Sequence, residues 1–304
     1  MKGNQWSLVI FTVLIQLAVG LFLFSGVVQF LIMDQALRFL SVLFFRVALL
    51  TVIAGLLAGM LISLSHLGSP RNAPRALLNL GSSWLSAEIA LVVLFGLMVA
   101  SYGILFLLGL GLTLSGKVVF CFGCGVGLLL IYCMTRVYRL STIPTWDTLA
   151  TQFSFFKATF LLGVSATGGL LWVSLAISIE NIEMTTIVQN FNRNFLGVVV
   201  FAVLLLGLDY LVTIFRIAKL KGNPENMDKG FSRAVSQNYT SFTLRFILGA
   251  LGLILFSLPL IWNPYTLDFR WFKISLIPLS FGLIFISELI DRKIFYASFE
   301  RAGF

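Results

Sequence analysis

The sequence predicts an all-α, polytopic membrane protein of about eight transmembrane helices in two four-helix halves, and three observations lead there. Of 304 residues, 59% are hydrophobic and 11% charged, against about 25% charged in a soluble domain. Windows of about 20 apolar residues, long enough to cross a hydrocarbon core, recur along the whole sequence. Thirty phenylalanines and 26 glycines suit lipid-facing surface and close helix packing. Too few residues remain for a separate soluble unit, so residues 1–304 read as a single integral membrane domain.

The first helix is expected over 7–32. The apolar stretch after Lys2 is longer than the core of a signal peptide and lacks a small-x-small cleavage site. The second, 38–65, carries Arg38 and Arg46 and runs into a polar loop. Gly81, Ser82 and Ser83 open the third, 83–112. The fourth, 116–139, contains all three cysteines, Cys121, Cys124 and Cys133. The fifth and sixth are expected over 153–178 and 194–216. A longer loop, 217–240, holds Lys219, Lys221, Gly222, Pro224, Glu225 and Asp228. The last two spans are 241–261 and 273–295. No repeat of 20–50 residues is present, and the two halves show no convincing similarity to each other.

An even helix count puts both termini on one side. Fifteen basic residues then fall on that side, Lys157, Arg245 and Arg292 among them, against Arg38, Arg46, Lys117, Arg193, Arg270 and Lys273 opposite. The positive-inside rule places the termini and the loop after helix 2 in the cytoplasm. The net charge of +9 calls for anionic lipid and a soluble partner, with no nucleic acid needed.

The protein has one histidine, His66, at the end of helix 2 in the loop Ser65-His66-Leu67-Gly68-Ser69-Pro70-Arg71-Asn72-Ala73-Pro74-Arg75. Ser69 and Pro70 suit the start of a short turn, with Arg71 and Arg75 on one face of it. Glu88 follows about one and a half turns into helix 3, below Trp84. A titratable imidazole, two arginines and a carboxylate therefore meet at one membrane boundary. The bland alternative is an interfacial histidine, with Glu88 pairing an arginine; an intramembrane carboxylate is nonetheless a functional candidate.

One histidine excludes a bis-histidyl haem, and three cysteines in one helix fall short of an iron–sulfur cluster. No haem, iron–sulfur cluster or metal site is expected in this protein. Cys121-Phe122-Gly123-Cys124 has CxxC spacing but lies in hydrocarbon, where cysteine is commonly a small apolar filler. Other polar groups at membrane depth are Gln16, Arg46, Arg136, Asp209 and Glu288. Asp209 suits either an ion pair with Arg216 or a proton path that includes Gln16. Arg46 and Glu288, nearer helix ends, are expected to snorkel.

These residues also resemble a family. His66-Leu67-Gly68-Ser69-Pro70, then Asn79, Gly81 and Ser86-x-Glu88-Ile89, are similar to the membrane anchor subunit of dimethyl sulfoxide reductase. So are Trp6-Ser7-Leu8, Phe11-Thr12-Val13 with Gln16, and Val137-Tyr138 leading to Pro144-Thr145-Trp146. The likeness covers the first half closely and the eight-helix plan throughout. It implies a multi-pass protein of the bacterial inner membrane, active in anaerobic respiration, that oxidises bound menaquinol. Its implied partners are a four-cluster iron–sulfur subunit and a molybdopterin catalytic subunit. The family's quinol-linked histidine, glycine, arginine and glutamate carry over to His66, Gly68, Arg71 or Arg75, and Glu88, with Trp84 placed to pack against the ring. Two other readings compete: a secondary transporter built around Asp209, and a purely structural anchor.

Overall fold

A computed structural model describes residues 5–32, 38–64, 79–140, 142–143, 145–178, 185–222, 229–261 and 270–299. The protein is all-α and polytopic. α1 (Gln5–Val27) continues into a π-helical turn, Val28–Ile32, and is followed by α2 (Arg38–Leu64), α3 (Trp84–Leu107), α4 (Leu114–Tyr138) and α5 (Leu149–Ser178). Then come α6 (Thr185–Gly222), the short α7 (Lys229–Gln237), α8 (Tyr239–Ile261) and α9 (Arg270–Ala297). Seven of these are long and apolar enough to cross a membrane. The eighth long helix, α9, has 28 residues, or about 42 Å at 1.5 Å per residue. It carries Glu288, Asp291, Arg292 and Lys293 near its end.

Three boundaries differ from the sequence expectation, each for a local reason. Helix 3 stops at Leu107 because Gly109 adopts φ +75°, and glycine takes that conformation without steric penalty. The Leu110 amide then donates to Leu105 O (2.8 Å) and the Gly109 amide to Phe106 O (3.1 Å), a Schellman closure. Thr113 starts α4 by accepting from the Gly116 amide. α6 is far longer than 194–216, reaching Gly222. Residues 229–237 of the long loop form α7, whose Ala234 packs with Phe242 and Ile294.

α1 and α5 form the centre. Of their apolar windows, 72% and 78% respectively are buried, against 22% for α3, whose leucines Leu85, Leu94 and Leu97 face outward. The two central helices touch backbone to backbone. A Cβ on Gly20 would lie 2.0 Å from Thr159 O, and one on Gly163 would lie 2.3 Å from the Gly20 carbonyl carbon. Only glycine fits either side of that crossing, as in the close helix contacts of other membrane bundles. Nearby, Phe22 packs edge-on against Phe95 (5.6 Å) and stacks on Phe120 (4.5 Å), tying α1 to α3 and α4.

Replacing Gly163 with Leu is expected to separate α1 from α5 and to destabilise the protein by about 1–3 kcal/mol or more, the usual range for overpacking. Gly197→Ala, where an added Cβ meets nothing within 4 Å, is the matched control. Thermal aggregation midpoints of the two detergent-solubilised variants check this; equal midpoints would contradict the crossing.

Candidate functional site

α3 begins with a tight turn. The Ser82 and Ser83 amides both donate to Asn79 O at 3.1 Å, and the Ser83 hydroxyl caps the helix by accepting from the Ser86 amide at 3.4 Å. This fixes which residues of the first turns face inward: Ser86 and Glu88 are buried, while Trp84 is 46% exposed. The end of α4 covers this start. Cys133 Sγ donates to Trp84 O at 3.3 Å, the Arg136 guanidinium lies 5.1 Å from the Trp84 ring, and Tyr132 meets Trp84 edge-on.

Glu88 is 3% exposed, and its Oε1 has no hydrogen-bond partner among the described residues. A buried carboxylate oxygen without a partner is costly and asks for an explanation: a ligand, water or proton. Its electrostatic neighbours are Cys133, Tyr138 and Tyr296. His66, Gly68, Arg71 and Arg75 lie outside the described residues, as does the turn expected at Ser69 and Pro70.

Gln16 and Asp209 are both interior. Gln16 Nε2 donates to Phe155 O at 3.2 Å and its Oε1 accepts from Arg292 Nη2 at 3.4 Å. The Arg292 guanidinium is 3.8 Å from the Phe155 ring centre, and its Nε and Nη1 are buried without a hydrogen-bond acceptor among the described residues. Asp209 does not take Arg216 as its partner. Instead it meets Lys157 Nζ at 3.6 Å and Arg245 Nη2 at 3.5 Å, while Arg216 Nη2 donates to Thr145 O at 3.4 Å.

Four residues assigned from sequence to the membrane boundary are interior: Lys157, Arg245, Glu288 and Arg292. Glu288 does not snorkel. Its two carboxylate oxygens accept from Lys157 Nζ at 2.8 and 2.9 Å. Asp291 contacts Lys157 at 3.5 Å and pairs with Arg245, which also donates to Thr213 Oγ1 at 3.0 Å. Opposite charges on α5, α6, α8 and α9 thus pair in the interior, Lys157 with Glu288, Asp209 and Asp291, and Arg245 with Asp209 and Asp291. A polar cavity of about 60 Å³ adjoins the cluster, lined by Thr151, Ser154, Asp209, Thr213, Arg216 and Asp291 among others.

The sequence held two signals for this cluster. Lys157 sits more than two turns inside α5, flanked by Phe155, Phe156 and Phe160, too deep for easy snorkelling. Glu288 and Arg292 are four apart on one helix face. Removing the ammonium alone, Lys157→Met, leaves buried carboxylates short of a partner and is expected to destabilise by about 3–5 kcal/mol. Lys157→Met with Glu288→Met removes a whole pair and is expected to recover most of that loss. Thermal unfolding of the single and double variants checks the difference.

Comparison with known proteins bears on the whole sequence. A family model described as the DMSO reductase anchor subunit (DmsC) matches residues 1–298. The protein is 34% identical to the YnfH subunit of anaerobic dimethyl sulfoxide reductase of Escherichia coli over 162 residues, 53% of its own length and 55% of the relative's. It is 30% identical to the C subunit of the Haemophilus influenzae enzyme over 201 residues, 62% of its length and 71% of the relative's. With the C subunit of the Escherichia coli enzyme it shares 27% over 310 residues, 99% and 96% of the two lengths. The matched stretch of the first of these spans only about half of that relative's length, whereas the last match is end to end.

Proposed function

The protein belongs to the DMSO reductase anchor subunit family, and we propose that it binds and oxidises menaquinol where α2 gives way to α3. The observation that carries this reading is Glu88: a buried carboxylate at a membrane boundary, with one oxygen unpartnered among the described residues, twenty-two residues after the sole histidine. Oxidising a quinol breaks two O–H bonds and releases two protons and two electrons. The site must therefore supply proton acceptors, and a nearby cluster must take the electrons.

Glu88 serves as one acceptor and His66 as the other, since an imidazole accepts a proton readily near neutrality. Arg71 or Arg75 orients a quinone oxygen or holds Glu88 in place, and Gly68 lets the loop backbone approach the ring. Trp84, half exposed beside Glu88, packs against the ring or the first isoprenoid unit. The electrons leave to an iron–sulfur subunit docked on the His66 loop and then to a molybdopterin subunit, because this protein has neither the histidines nor the cysteines to hold a haem or cluster of its own.

The proposed orientation keeps its footing after the interior charges are set aside. Without Lys157, Arg245 and Arg292, twelve lysines and arginines remain on the side of the termini and six on the other. That asymmetry supports cytoplasmic termini in the bacterial inner membrane. Reporter fusions at Phe304 and within residues 179–193 are expected to give opposite signals, cytoplasmic at Phe304; the reverse pattern refutes the orientation.

His66→Ala and Glu88→Gln are each expected to lower menaquinol-dependent turnover of the assembled complex by about 10²–10⁴, the usual value of a positioned proton acceptor. Activity with an artificial donor that feeds the catalytic subunits directly should be unchanged. Lys117→Ala, an exposed position at the opposite end of the bundle, is the control. Normal quinol turnover in assembled His66→Ala and Glu88→Gln complexes would falsify the site.

A further inference from the structure

A single buried carboxylate poses a problem in quinol oxidation. Each turnover releases two protons, so Glu88 must discharge before it accepts again. At 3% exposure it needs a route. Polar groups lead away from it laterally, through the interior of the bundle. Tyr138 ends α4, the helix whose last turns cover the α3 start that carries Glu88, and its ring meets that of Tyr296 at 5.3 Å between centres. The Tyr296 hydroxyl also donates to Thr12 Oγ1 at 3.5 Å.

Arg292 comes next. It stands between Glu288 and Tyr296 at four-residue spacing on one face of α9, and it lies over the Phe155 ring against which Tyr138 also packs. Its Nε and Nη1 have no acceptor among the described residues, and interior donors in that state are normally completed by ordered water. Beyond it lie Glu288 and Lys157 at 2.8 Å, then Asp209 and Asp291, and then the cavity edged by Thr151, Ser154, Thr213 and Arg216. Its volume, about 60 Å³, holds water with polar partners on several sides. Lys157, Arg245, Arg216, Asp209, Asp291 and Glu288 are the charged groups that face this end of the route.

We infer that Glu88, Tyr138, Tyr296, the water on Arg292, and the Lys157–Glu288–Asp209–Asp291 cluster form a proton exit from the quinol site, opening through the cavity between α5, α6, α8 and α9. This rests on the quinol-site reading above. The quinol O–H bond breaks, its proton passes to Glu88, and its electrons leave to the iron–sulfur subunit. The two hydroxyls and the water hand the proton to Glu288, whose partner Lys157 holds the cluster in register as a positioning residue. Asp209 and Asp291 pass it to the cavity.

The route begins and ends on the same membrane face. Glu88 lies in the first turns of α3, and Ala150, Thr151 and Ser154 lie in the first turns of α5. Contacts between Trp146 and Phe295 and between Trp6 and Lys293 put the end of α9 at that face as well. This exit therefore returns protons to the side on which the quinol site opens and carries none across the membrane.

The test uses the assembled complex with a reduced naphthoquinol as donor. Lys157→Met with Glu288→Met removes the proton carrier Glu288 together with its charge partner while nearly keeping their volume. It is expected to lower quinol-dependent turnover about tenfold or more, to raise the solvent isotope effect, and to leave turnover with reduced viologen unchanged. Acetate, a small weak acid that enters the cavity, should partly restore quinol turnover, which a structural defect does not allow. Normal quinol turnover in the assembled double variant overturns the exit and sends the proton out through the His66 loop. Should that variant fail to assemble, Tyr296→Phe, which removes one hydroxyl and no charge, decides: reduced turnover with an enlarged isotope effect supports the exit, and normal turnover overturns it. Glu88→Gln separates the two readings. If it is impaired while the exit variants are normal, only the exit fails; if it is normal, the quinol site fails and the exit with it.

Discussion

The Lys157 ammonium is completely buried within a membrane bundle, and its neighbours are arranged by that fact. Withdrawing an ion from water costs several kcal/mol even after relaxation, and the charge persists only if good hydrogen bonds and counter-charges surround it. Glu288 supplies both its oxygens from α9, Asp291 a third contact from the same helix, and Asp209 a fourth from α6. Those carboxylates in turn require Arg245 on α8. Four helices are thereby held in one axial register. A slide of α9 by a single turn, about 5.4 Å, would part Glu288 and Asp291 together from Lys157 and Arg245. The penalty for the wrong arrangement, more than the energy of the right one, makes such a cluster specific.

This explains how α9 belongs to the bundle although Glu288, Asp291, Arg292 and Lys293 crowd its end. Its polar side chains turn inward, onto Lys157, Arg245 and the Phe155 ring beneath Arg292. The outer half of the helix keeps lipid-compatible residues such as Leu279 and Ile286. The glycine crossing works with the cluster. Because Gly20 and Gly163 bring α1 and α5 into backbone contact, Gln16 of α1 reaches the Phe155 carbonyl of α5 and meets Arg292 of α9. Packing by small residues and pairing by charged ones thus converge on the same three helices.

What the sequence revealed follows from which signals are local. Apolar runs and the glycine–serine start of α3 are properties of neighbouring residues, so the eight long helices and the burial of Glu88 were legible. The Leu107 end was not, because an apolar run continues to Leu112 and only the positive φ of Gly109 stops the helix. Lys157, Arg245, Glu288 and Arg292 were misassigned to the boundary for a different reason. A charge near a helix end looks the same whether it snorkels or pairs, and the partners that decide the matter are 32 to 276 residues away in sequence.

Charge placement also bears on what kind of machine this is. A device that moves protons across a membrane needs titratable groups spread through its thickness, with access alternating between faces. Here Glu88, Tyr138, Tyr296, Glu288, Asp291 and Asp209 all lie in the half of the bundle where α3, α5 and α8 begin and α4, α6 and α9 end. The other half, around Phe22, Phe95, Tyr102 and Phe120, is an aromatic core. Within it the Tyr102 hydroxyl donates to Gly111 O at 3.5 Å. Ser25 and Gln29 are also buried there but carry no charge, and no described carboxylate or amine bridges the layer. On the quinol reading, chemistry and proton release then share one face, and any gradient arises from where the partner subunits consume protons. The asymmetry of the fold favours an electron conduit with a scalar proton exit over a pump.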